Sequence, residues 1–139
     1  MMLIVFASST VAQKKSAKTA APAAPKKEIT DADVPRKSVD ELILAIANKK
    51  PVIIIDVRHK GDYGSKIKGA LQIPLDEIEA RMKEIPRNKE IITYCSWTAE
   101  HTSAGAAVKL LANGYKKVSA LKGGWNAWME AGGLTEASQ

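Results

Sequence analysis

The 139-residue chain holds one cysteine, Cys95, two histidines and only seven aromatic residues. A single cysteine excludes a disulfide framework within the chain and any zinc site built on several thiolates. His59 stands in a polar stretch with no metal-ligand neighbours, so no metal site is expected there. The net charge of +6 divides unevenly: residues 1–37 hold seven Lys/Arg and three acids, and the remainder holds 14 basic and 12 acidic residues. The body of the chain is thus nearly neutral. With few aromatics and no basic stripe interleaved with them, nucleic-acid binding is not expected.

The apolar residues 1–12 are too few to cross a bilayer as a helix. They match the hydrophobic region of an export signal, with small residues at Ala7, Ser9 and Ala12 to frame a cleavage site, although no Lys or Arg precedes them. This predicts an exported, periplasmic or extracellular protein without stable membrane insertion after processing; the alternative is an apolar leader of no consequence on a cytoplasmic protein. Residues 13–37, rich in Lys, Ala and Pro, bury too little apolar surface to offset chain entropy and read as a disordered linker. One folded domain is expected over 38–139.

Within it, Ser38 and Glu41 form a capping box, and Val39, Leu42, Ile43 and Ile46 keep helical spacing as far as Asn48. Val52-Ile53-Ile54-Ile55 is a short β-branched run, as in a strand covered on both faces. A polar stretch leads to Gly69 through Pro74, a second short strand or turn. Leu75, Ile78, Met82 and Ile85 predict a helix between Pro74 and Pro86. Ile91 to Tyr94 is the next strand, Ala104 to Ala112 a helix stopped by Asn113-Gly114, Val118 to Leu121 a strand, and Trp125 to Ala131 a last helix after Gly123-Gly124. Such alternation argues for an α/β domain with a mostly parallel sheet, whose chemistry collects at the carboxyl ends of its strands.

Cys95 lies at that edge, where the strand passes into a polar loop and an alanine-rich helix. There it meets main-chain N–H groups and the positive end of the helix, which favour a thiolate. The competing reading of the residue alone is a buried, inert thiol.

Four segments, in this order, resemble the single-domain rhodanese family of sulfurtransferases. They are Asp56-Val57-Arg58 with Asp62-Tyr63, Gly69-Ala70 and Ile73-Pro74; Tyr94-Cys95; the helix entered at Thr102-Ser103-Ala104; and Gly123-Gly124-Trp125-Asn126-Ala127-Trp128 with Ala131-Gly132. The resemblance runs from about Val39 to Gly133. It implies a three-layer α/β domain with a mostly parallel central sheet flanked by helices. It also implies that Cys95 takes sulfane sulfur from thiosulfate or a similar small anion, holds it as a persulfide, and passes it to cyanide or a thiol. The loop residues Ser96, Trp97, Thr98, Ala99, Glu100, His101, Thr102 and Ser103 would then form the anion cradle. No metal or organic cofactor is implied, and a monomer or weak dimer is expected.

The loop departs from the family pattern, because the place of the family's C-x4-R arginine holds Glu100 and the run to Ser103 is about two residues longer. Substrate preference is therefore open, since a guanidinium is the usual grip on an oxyanion. Glu100 is expected to point outward and cap helix N–H groups, Thr102 and Ser103 to serve as N-cap residues, and Trp97 to wall the pocket or meet a partner. His101 either assists the donor or faces water. Arg58 either attends the site or forms a salt bridge with Asp56 or Asp62. Tyr63, Trp125 and Trp128 read as packing residues. A second reading of the chain is a rhodanese-like module, without turnover, that binds a partner protein or accepts its sulfur. A third, a redox sensor, lacks a resolving cysteine.

Overall fold

The computed structural model describes residues 27–59, 61, 63–96 and 100–139. The apolar leader, most of the linker, Asp62, Trp97, Thr98 and Ala99 lie outside the described residues. In chain order the elements are β1 (Arg36–Lys37), α1 (Val39–Ala47), β2 (Val52–Asp56), β3 (Ser65–Ile67), β4 (Leu71–Gln72), β5 (Glu90–Tyr94), α2 (His101–Ala112), β6 (Val118–Leu121), α3 (Gly124–Glu130) and β7 (Thr135–Ala137). Five strands make one parallel sheet in the order β1-β6-β5-β2-β4.

The sheet separates two cores because alternate strand residues face opposite sides. Ile55 and Ile91 pack with Ala104, Ala106, Ala107 and Leu110 of α2. Ile54, Ile92 and Tyr94 pack with Val39 and Leu42 of α1 and Trp128 of α3. The result is the expected three-layer α/β domain. Ala104, Ala106 and Ala107 of α2 are fully buried, so the helix backbone lies close to the sheet beneath the cysteine loop.

The capping box at α1 forms as its sequence predicts: the Glu41 amide donates to Ser38 Oγ at 3.2 Å, and the Ser38 amide donates to Glu41 Oε2 at 2.7 Å. Other expectations are corrected. The segment read as linker up to Lys37 joins the fold earlier, through a 3-10 turn at Asp31–Asp33 and then β1. Val34 anchors it in the core at 5% exposure, and β1 pairs with β6. A two-residue strand carries no periodicity to announce it.

The helix expected between Pro74 and Pro86 is instead two 3-10 turns, Leu75–Glu77 and Met82–Glu84. Tertiary hydrogen bonds pin both ends of the segment. The Tyr115 hydroxyl donates to the carbonyls of Met82 (3.0 Å) and Ile85 (2.7 Å), and the Leu75 amide donates to Val57 O at 3.3 Å. The polar stretch before Gly69 contains β3, which pairs antiparallel with β7 as a separate ribbon. Gly133 leads into that ribbon, and a Cβ there would come within 2.1 Å of the Trp128 indole. Only glycine fits such an approach.

Candidate active site

Cys95 follows β5 directly and is 5% exposed. β5 lies inside the sheet, between β2 and β6, and its end is tied on both sides. The Val57 amide donates to Tyr94 O at 3.1 Å, and the Trp125 amide donates to Cys95 O at 2.8 Å. The thiol donates to the Ser103 hydroxyl at 3.6 Å, and that hydroxyl donates to the Glu100 carbonyl at 3.0 Å. Ser96 is buried, and its hydroxyl meets no partner among the described residues.

The helix begins at His101, immediately after Glu100. The loop is therefore not two residues longer before its helix. Thr102 and Ser103 are not caps: both lie inside α2, and Ser103 is fully buried with its hydroxyl turned back toward the loop. Glu100 occupies the N-cap position in left-handed backbone, φ 56°, ψ 11°, and makes no capping hydrogen bond with its side chain. For a residue bearing a Cβ this conformation costs roughly 1–2 kcal/mol.

Glu100 also points inward rather than outward, and it is 8% exposed. Its Oε2 accepts from Arg36 Nε at 2.6 Å and its Oε1 accepts from the Gly123 amide at 2.6 Å. The physical reason is valence: a buried carboxylate needs charge-assisted donors, and β1 and the turn before α3 supply them. His101 faces water, with Nδ1 3.2 Å from Asp31 Oδ2.

Arg58, on the neighbouring strand end, is committed to Asp56. Its Nε and Nη2 donate to Asp56 Oδ1 (2.8 Å) and Oδ2 (2.6 Å), and Nη2 also donates to Ser65 O at 2.7 Å. The guanidinium carbon lies 4.2 Å from the Tyr63 ring centroid and 4.6 Å from that of Trp125. These faces serve a cation whose Nη1 has no hydrogen-bond partner among the described residues. Burial alone would depress the guanidinium, but the Asp56 hydrogen bonds and charge, aided by Tyr94, more than offset it and raise its pKa.

Tyr63, expected in the core, is 37% exposed and covers this cation. Tyr94 completes the group: its hydroxyl donates to Asp56 Oδ2 at 2.8 Å and accepts from the Ile67 amide at 3.1 Å. Burial, then the Asp56 charge, pushes that phenol far above its usual range. Trp125 stacks on Tyr94, with centroids 6.4 Å apart. The Asp56-Val57-Arg58 motif is thus a frame beneath the loop.

Residue spacing alone did not reveal the Arg36–Glu100–Gly123 bridge, whose members are 64 and 23 positions apart. The only sequence sign was the acid standing in an arginine's place.

Residues 38–131 match the model of the rhodanese-like domain. A protein of Allochromatium vinosum named sulfurtransferase is 33% identical over 94 residues, which are 67% of this chain and 86% of that protein. The thiosulfate sulfurtransferase GlpE of Coxiella burnetii is 26% identical over 84 residues, 60% of this chain and 77% of its own. The crystal structure of the BH2092 protein of Bacillus halodurans superposes with a TM-score of 0.68 at 30% identity, covering 73% of this chain and 76% of that one. The matched segment includes β5, Cys95, α2 and the turn before α3, and on that ground the chain belongs to the rhodanese-like domain family.

Proposed function

We propose that this protein is a sulfurtransferase that carries sulfane sulfur as a persulfide on Cys95. The observation that carries the reading is the placement of Cys95 at the carboxyl end of a central parallel strand, with its thiol against the Ser103 hydroxyl in the first turn of α2. Sulfurtransferase-named relatives support it.

In the first step the Cys95 thiolate attacks the outer sulfur of thiosulfate or a similar anion. An S–S bond forms at Cys95, the donor's own S–S bond breaks, and sulfite leaves with the bonding electron pair. In the second step a thiolate or cyanide attacks the terminal sulfur of the persulfide, giving a new persulfide or thiocyanate and returning the Cys95 thiolate. The Ser103 hydroxyl, which both accepts and donates, turns its proton toward the sulfur when the thiol ionises. Loop N–H groups supply the remaining donors to the terminal sulfur, as a nest does for an anion.

The test is intact-protein mass spectrometry after incubation with thiosulfate. One sulfur atom is expected on the native chain and none on Cys95→Ala, with sulfur released on adding cyanide. A native chain that gains no sulfur from thiosulfate or from a low-molecular-weight persulfide refutes the proposal and leaves a partner-binding module.

A further inference from the structure

Both stems of the cysteine loop are fastened to the same turn. At the entry, Cys95 O accepts from the Trp125 amide at 2.8 Å. At the exit, Glu100 Oε1 accepts from the Gly123 amide at 2.6 Å. The other carboxylate oxygen accepts from Arg36 Nε at 2.6 Å, and Arg36 is itself moored by Nη1, which donates to Val34 O at 2.8 Å. The main-chain carbonyl of Glu100 then accepts from the Ser103 hydroxyl at 3.0 Å and from the Ala104 amide at 2.8 Å. The hydroxyl is the group that touches the Cys95 sulfur.

Hydrogen bonds and covalent chain therefore form a closed circuit from Glu100 through Gly123, Trp125, Cys95 and Ser103 back to Glu100. The side chain of Glu100 grips the sheet and the turn, while its backbone presents the hydroxyl to the thiol.

We propose that Glu100 is a positioning residue of the sulfur-transfer site. Its carboxylate, held between Arg36 and the Gly123 amide, sets the exit stem of the loop and thereby the donors around Cys95. The acid at this position belongs to the frame and does not bind the donor, so its negative charge is spent on Arg36 rather than set against the incoming anion. This inference rests on reading Cys95 as the sulfur carrier.

Two variants of the full chain separate the roles. Glu100→Gly removes the clamp and also relieves the left-handed backbone, so the fold is retained. Glu100→Gln keeps an oxygen for the Gly123 amide. In Glu100→Gly, hydrogen exchange at the Gly123 amide should quicken at least about tenfold, because its acceptor is gone. The maximal rate of sulfur loading on Cys95 from thiosulfate should fall about 10- to 100-fold, with the half-saturating concentration changed by less than about threefold, as misplacement rather than lost binding requires. Glu100→Gln keeps the Gly123 arm and loses the charge-assisted Arg36 arm, so its rate should fall between those of the native chain and Glu100→Gly.

A Glu100→Gly rate equal to native, a change confined to half-saturation, or a Gln variant as slow as the Gly variant overturns the proposal. If the native chain takes up no sulfur, the carrier reading fails separately. The clamp is then judged on exchange alone: unchanged protection of the Gly123 amide in Glu100→Gly refutes it, and lost protection sustains it.

Discussion

The Trp125 amide donates a 2.8 Å hydrogen bond to the carbonyl of Cys95, which joins the glycine turn before α3 to the residue that ends β5. Gly123 and Gly124 both have positive φ, 77° and 55°, and this sharp reversal is what brings the amide to the cysteine. A side chain at Gly123 would also meet Ala127 Cβ at 2.6 Å. The glycine pair therefore serves the cysteine loop as well as the start of the helix.

Trp125 lies in the first turn of α3, where proline is tolerated. Trp125→Ala keeps the amide donor and loses the indole, whereas Trp125→Pro loses both. Sulfur loading of Cys95 should be at least about fivefold slower in the proline variant than in the alanine variant, the worth of roughly one hydrogen bond. Equal rates in a stopped sulfur-loading assay would show that the carbonyl contact is irrelevant to the thiol.

Ser103→Ala should separate stability from reactivity. Alanine is the better helix former by about 0.5 kcal/mol, against roughly 1 kcal/mol for the lost hydrogen bond. The urea midpoint should therefore move little, while sulfur loading slows about fivefold or more for want of the hydroxyl. A large fall in stability with an unchanged rate would make this hydroxyl purely structural.

Arg58→Ala leaves Asp56, 1% exposed, as an uncompensated buried carboxylate. The expected loss is about 3–5 kcal/mol by denaturant unfolding. Because the Nε and Nη2 donors are committed to Asp56 and Ser65 O and Arg58 is buried, half-saturation by thiosulfate should stay unchanged in the protein that remains folded. A raised half-saturation at native stability would return Arg58 to the donor site.

The buried Tyr94 phenol carries a pKa raised above its ordinary value of 10.0. Between that value and the folded one, the native state binds more protons than the unfolded state. Stability is therefore intact below pH 10 and declines as pH rises beyond it. Tyr94→Phe should remove this part of the slope, seen as shallower loss of the unfolding free energy above pH 10. At neutral pH the same variant should be less stable by about 1–3 kcal/mol, since Asp56 and the Ile67 amide each lose a partner. Parallel alkaline slopes in the two proteins would sink this account.

The layers of the domain were legible in the sequence because they rest on local pattern. The unbroken apolar run ending in Asp56, the capping box at Ser38 and Glu41, and the glycine pair before Trp125 each announce an element through neighbouring residues. Cys95 at the end of a strand was legible on the same ground. Leu75, Ile78, Met82 and Ile85 kept helical spacing, yet the segment folds as two 3-10 turns whose ends are pinned by remote groups, Val57 and Tyr115. The β3–β7 ribbon joins residues some seventy positions apart, and no local periodicity encodes it.

What the amino-acid order determined alone was the alternation of strands and helices and the lodging of one thiol at the sheet's edge, since both follow from side-chain periodicity. Tertiary structure decided which way each charge points. Glu100 turned inward because Arg36 and the Gly123 amide converge on it, and Arg58 turned to Asp56 because a buried cation takes its nearest counter-ion. The partners of Glu100 lie 64 and 23 positions away, and that information is absent from any short stretch of the chain.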